Sequence, residues 1–180
     1  MILTTQLSFF LKQTFKMKNI ILITLLVVLC LGCKSENEVF TIPSSLEIVD
    51  VVEESKEVCL ECEHKIVVYC DYSLRSLSFL KVSMQSWSEI SDEYPDVGFL
   101  FVFHGKNKST LERTLKEYEF PFQVMFDQDN EFYNLNNLEK SSTKNKPLQA
   151  FHLDGLKNVK IAQIGIPNLL RKEIEEFRNN

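Results

Sequence analysis

The sequence predicts an α/β domain in which strands and amphipathic helices alternate along the chain. Short β-branched runs bounded by charges recur between segments whose apolar residues fall at helical spacing. A chain of 180 residues, 44% hydrophobic and 25% charged, is also long enough to bury one real core. Fourteen Phe against one Trp point to a well-filled interior, and five Gly with five Pro leave no low-complexity linker.

An extended piece over 46–52 comes first. Residues 65–70, KIVVYC, are short and β-branched, as a buried strand should be. Between 76 and 94 the apolar positions Leu77, Leu80, Met84, Trp87 and Tyr94 recur at helical spacing, and Pro95 stops that helix. Residues 97–104, VGFLFVFH, form the strongest strand of the chain. Ser109 with Glu112 predicts a capping box for a helix carrying Leu111, Leu115 and Tyr118. A third central strand is expected at 122–126, a short helix at 131–135, and a loop without periodicity at 139–146. Strands at 148–153 and 159–164, turning at Asp154 and Gly155, make a hairpin. Pro167 and Asn168 open a last helix that turns Leu169, Leu170, Ile174 and Phe177 inward. Phe99, Phe101, Phe103, Phe120, Phe122, Phe126 and Phe151 are read as core, and the acidic stretch 47–63 as solvent-facing.

The first third carries an address. A short basic start, Lys16 and Lys18, precedes an apolar run over 20–31, which is the pattern of a signal peptide. Crossing a bilayer takes roughly 20 residues, so this run is too short for a permanent span. It ends at Gly32-Cys33 and gives way to Lys34-Ser35-Glu36-Asn37-Glu38. That junction resembles the lipobox of bacterial lipoproteins, with Cys30 standing where Leu is usual; the resemblance implies that Cys33 is lipidated and becomes the new N-terminus. A plain secretory signal or an uncleaved anchor is the alternative. The expected layout is signal peptide 1–32, lipidated tether 33–45 and globular domain 46–180. Met17 restarts a complete signal by itself, so 1–16 read as an over-extended start. The formal charge of −5 argues against a nucleic-acid partner, and removal of Lys12, Lys16 and Lys18 makes the remainder more acidic. A membrane partner through Cys33 is expected, in the bacterial envelope, at the outer membrane and facing the periplasm.

The element order β, βα, βα, βα, ββα resembles the thioredoxin-like fold of TlpA and AhpC/TSA-type redoxins. The resemblance rests on the strand-helix unit 65–94 closed by Asp92-Glu93-Tyr94-Pro95, on Phe120-Pro121-Phe122, and on Lys146-Pro147-Leu148-Gln149-Ala150-Phe151-His152-Leu153-Asp154-Gly155. It implies a central mixed β-sheet flanked by helices in a single domain. It also implies that Pro147 matches the family's cis-proline beside the active disulfide, a trans proline at a strand edge being the alternative. In that family a Cys-x-x-Cys sits between the first core strand and the next helix, whose N-terminus favours the thiolate. Here that place falls on Leu77-Ser78-Phe79-Leu80, or four residues earlier on Ser73-Leu74-Arg75-Ser76, and neither holds a cysteine. The usual dithiol reaction is therefore excluded there.

Cys59-Leu60-Glu61-Cys62 does have the Cys-x-x-Cys spacing, but it precedes the strand at 65–70 and so should lie at the far end of the sheet. Cys70 ends that strand. Four readings compete: a structural disulfide, relocated redox activity through Cys59 and Cys62 or through Cys70, a metal site of Cys59, Cys62, His64 and Cys70, and unpaired thiols. Tetrahedral geometry disfavours the metal, and no metal or cofactor is expected. His104 and His152 read as structural histidines. The favoured role is binding of an envelope protein or peptide in the groove beside Pro147, Leu77, Ser78, Phe79 and Leu80. The alternatives are a thiol-disulfide oxidoreductase using Cys59/Cys62 or Cys70, and a structural envelope lipoprotein.

Overall fold

A computed structural model describes residues 39–72, 77–144, 146 and 148–179. The segment expected to be a signal peptide, Cys33, residues 73–76 and Pro147 lie outside the described residues. Among the described residues no helix is long and apolar enough to cross a membrane.

Six strands form one mixed sheet: β1 (Glu47–Val49), β2 (His64–Asp71), β3 (Val97–His104), β4 (Val124–Asp127), β5 (Gln149–Asp154) and β6 (Lys157–Ile161), in the spatial order β1-β4-β3-β2-β5-β6. β2, β3 and β4 run parallel, whereas β1, β5 and β6 pair antiparallel with their neighbours. The helices are α1 (Leu80–Glu93), α2 (Lys108–Glu117), α3 (Glu131–Leu135) and α4 (Pro167–Arg178).

β2 and β3 are covered on both faces, which explains their near-continuous apolar runs. One face turns Ile66, Val68, Cys70, Phe99, Phe101 and Phe103 toward Leu80, Trp87, Leu111, Leu115, Leu170 and Ile174 of the helices. The other packs Val67, Tyr69, Leu100, Val102 and Phe151 beneath Phe40 and Phe132. The seven Phe assigned to the core are all buried.

Several boundaries differ from the sequence reading. The helix expected from residue 76 begins with a 3-10 turn at Leu77–Phe79 and becomes α-helical at Leu80. α2 is capped by Asn107 instead of Ser109. Asn107 is extended (φ −127°, ψ 92°) and its side chain accepts from Thr110 N at 3.0 Å, so Lys108 is already helical. The third central strand starts at Val124, because Phe122 makes an isolated bridge with Lys56. A 3-10 turn, Leu138–Lys140, interrupts the loop at 139–146. β6 ends at Ile161; Ala162 N–H still bonds Ala150 O of β5 at 2.8 Å, and Gln163 to Ile166 then lead toward α4. The domain also reaches further back than residue 46. Phe40 is buried against Phe132 and Phe151, and Asn136 bonds both the N–H and the carbonyl of Thr41. Residues 39–45 thus pack on the body and are not a free tether.

Candidate functional site

Parallel strands give the sheet two unlike ends. The C-terminal ends of β2 and β3 face the start of α1, where the Cys-x-x-Cys of the resemblance would lie. Leu77 and Leu80 are buried there, Phe79 is half-buried and Ser78 exposed. None carries a thiol. Beside them opens a cavity of about 280 Å³, lined among others by Phe79, Trp87, Leu148, Ala150 and Ile164. Its far wall is the segment leaving β6. Trp87 Nε1 donates to Ile164 O at 2.8 Å, and Glu173 accepts from Gln163 N at 2.9 Å and bonds His152 Nε2 at 3.1 Å. Burial pushes the His152 imidazole below its usual range, the Glu173 carboxylate opposing and Lys160 assisting. His152 Nδ1 has no partner among the described residues. His104, between Asp71 and Asp127 in register, is tied through Nδ1 to Asp127 O at 2.8 Å.

The opposite end carries Cys59 and Cys62, joined in a disulfide with their Cα atoms 5.5 Å apart. Both are half-buried in an irregular segment leading into β2. Hydrogen bonds pin that segment: Lys56 N to Pro121 O at 2.8 Å, Gln123 N to Lys56 O at 2.9 Å, and Val58 N to the side-chain Oε1 of Gln123 at 2.9 Å. Gly98 of β3 makes the close approach possible, because a Cβ there would stand 3.0 Å from Cys59 O and 3.3 Å from Cys62 Cβ. The β5–β6 turn closes the other side, with Gly155 at φ +59° and its N–H on Glu63 O at 2.8 Å. Lys65 donates to the carbonyls of Cys62 and Gly155.

Of the three candidate cysteines the fold therefore brings two together and sets Cys70 apart, near the far end of β2. Cys70 is 1% exposed within the core, so the reading of a reactive thiol at that position is corrected: nothing can reach it without opening the domain. The four-ligand metal alternative does not fit this geometry. The disulfide uses the sulfurs of Cys59 and Cys62, and no group of three or more metal-binding side chains is found among the described residues. Gly98 and Lys65 were missed in the sequence. A lone Gly inside the strongest strand was the available signal for the first, whereas Lys65 looked like an ordinary boundary charge.

No family model and no curated protein matches the chain. Solved structures do. The thioredoxin domain of a thiol-disulfide oxidoreductase from Bacteroides vulgatus is 14% identical with a TM-score of 0.50, covering 66% of this chain and 81% of that one. A thiol:disulfide interchange protein from a Bacteroides species is 11% identical (TM-score 0.50; 67% and 76%). The exposed lipoprotein thioredoxin of Streptococcus pneumoniae is 15% identical (TM-score 0.50; 65% and 87%). At such identities the likeness concerns the fold, and the fold of this chain is thioredoxin-like.

Proposed function

We propose that this protein is a thiol-disulfide oxidoreductase whose redox couple has moved to Cys59 and Cys62, at the end of the sheet opposite the usual site. The observation that carries the reading is the half-buried Cys-x-x-Cys disulfide seated on Gly98. Stapling is a weaker account of it. Closing a loop of four residues restrains the unfolded chain by about 2 kcal/mol in the chain-entropy model, against about 3 for a 15-residue loop.

The reaction is a two-step exchange. A substrate thiolate attacks one sulfur of the disulfide, the S–S bond breaks, and the other cysteine departs as a thiolate that takes up a proton. A second substrate thiolate then attacks the mixed disulfide. The substrate leaves oxidised by two electrons, and Cys59 and Cys62 remain as a dithiol. We place the protein in the bacterial envelope, held at the outer membrane by a lipid on Cys33. The lipobox-like junction supports this, as does the persistence of disulfides in oxidising compartments.

Alkylation with mass mapping across a glutathione series tests the reading. Exchange of Cys59 and Cys62 between roughly −120 and −270 mV supports it, and a bridge that resists reduction below about −300 mV refutes it. The cavity beside Phe79 and Trp87 favours a second reading, capture of an extended apolar peptide without chemistry. A chain with every cysteine changed to Ser should then still bind such peptides, with a change in Trp87 fluorescence.

A further inference from the structure

Among the described residues most charges around Cys59 and Cys62 oppose a thiolate, the cations Lys56 and Arg178 being paired with carboxylates, with one buried exception. Lys56, three residues before Cys59, is bound at 2.7 Å to both Ser88 O and Asp92, in the last turns of α1. The helix end nearest this segment is therefore the one with negative partial charge. Glu57, Glu61 and Glu63 lie exposed along the segment, and Asp154 is exposed at the end of the neighbouring β5. Asp96, just before β3, is paired with Arg178 at 2.9 Å, and His64 at the start of β2 sets its ring against Phe177.

The exception is Lys65. It is 3% exposed, which is rare for lysine, and its ammonium is fixed on the main chain of Cys62 and, at 3.2 Å, on Gly155 O. Burial draws its pKa down, while Glu61, Asp154 and Glu63 pull the other way and favour the charged form.

We propose that Lys65 is a positioning residue for the couple, its buried ammonium stabilising the Cys62 thiolate released when the disulfide opens. A substrate thiolate attacking Cys59 Sγ breaks the S–S bond and sends the electron pair to Cys62 Sγ. The ammonium balances that charge until solvent supplies the proton, and a stabilised thiolate leaves faster. The inference rests on the exchange reading for its purpose, yet thiol acidity is measurable whether or not exchange occurs.

The test follows the alkylation rate of Cys59 and Cys62 against pH in the reduced full-length protein, by mass mapping. In the wild type Cys62 should titrate below the ordinary cysteine value of about 8.5. Lys65→Met should slow its alkylation at pH 7 about tenfold, the equivalent of one pKa unit, and Lys65→Arg should restore it. A wild-type Cys62 midpoint at or above about 8.5 overturns the inference even where Lys65→Met fails to fold. So does an unchanged Cys62 midpoint in a folded Lys65→Met protein, which would leave Lys65 as a cap for two carbonyls. An acidic Cys62 in a protein whose bridge resists reduction below about −300 mV would instead keep this inference and remove the exchange reading.

Discussion

Gly98→Ala should raise the reduction potential of the Cys59–Cys62 bridge while destabilising the fold. The added methyl would meet Cys59 O at 3.0 Å, Cys62 Cβ at 3.3 Å and Leu100 Cδ1 at 3.3 Å. Gly98 is not among the positive-φ positions, so the cost is steric alone. The two nearest atoms belong to a segment held by the disulfide and by the bonds of Lys56 and Val58, and it must retreat by a few tenths of an ångström. Overpacking of this kind costs about 1–3 kcal/mol. In the reduced protein the two sulfurs can part and the segment yields, so most of the cost falls on the oxidised form. A difference of about 1.4 kcal/mol between the two forms corresponds to about 30 mV for a two-electron couple, in the direction of easier reduction. Urea unfolding of both forms measures the two costs, and a glutathione equilibrium measures the potential independently. Equal destabilisation of both forms with an unchanged potential would refute the idea that Gly98 exists to seat the bridge.

Asn107→Ala should cost about 1 kcal/mol of stability in urea by removing the bond to Thr110 N, with no effect on thiol exchange. His152 predicts an acid sensitivity. Its imidazole is held neutral by burial, so the unfolded chain takes up a proton near pH 6.5 while the folded chain resists until lower pH. Its stabilising contribution is therefore present above about pH 6.5 and is lost as pH falls toward the depressed folded value. His152→Gln should flatten this part of the melting-temperature profile. Cys70→Ala should leave exchange within about twofold of wild type, because the thiol lies in the core; a large loss in a folded variant would bring Cys70 into the chemistry.

The order of elements was legible because each buried strand and each helix writes its own period into the sequence, as in 97–104 and 167–177. What was not legible depends on contacts between distant residues. Asn107 and Ser109 are both good caps, and the extended backbone at Asn107 decides between them. β6 reads as continuing to 164, yet the chain leaves the sheet after Ala162 because Trp87 and Glu173 hold Ile164 and Gln163 from other elements. Phe40 belongs to the core through Phe132 and Phe151, more than ninety residues away, and nothing local marks it. For the candidate site, the Cys-x-x-Cys spacing and its position before β2 were visible. Its oxidised state, its seat on Gly98 and the burial of Lys65 came only with the fold.

The separation of the two sites limits how they can act together. β2 spans eight residues from His64 to Asp71, about 26 Å of extended chain, and it lies between the disulfide at one end and the start of α1 at the other. The resemblance would put groove and dithiol at one end of the sheet, whereas here the disulfide lies at the other. Here a peptide held against Phe79 and Trp87 would need several further extended residues, at roughly 3.3 Å each, to bring a thiol to Cys59. A short cysteine-free peptide that fills the cavity should therefore leave exchange at Cys59 and Cys62 unaffected, whereas competition between the two would require a single substrate that wraps the sheet from end to end. The geometry favours independence, because among the described residues neither Cys59 nor Cys62 lines the cavity, and the bridge rests on its own segment and on Gly98.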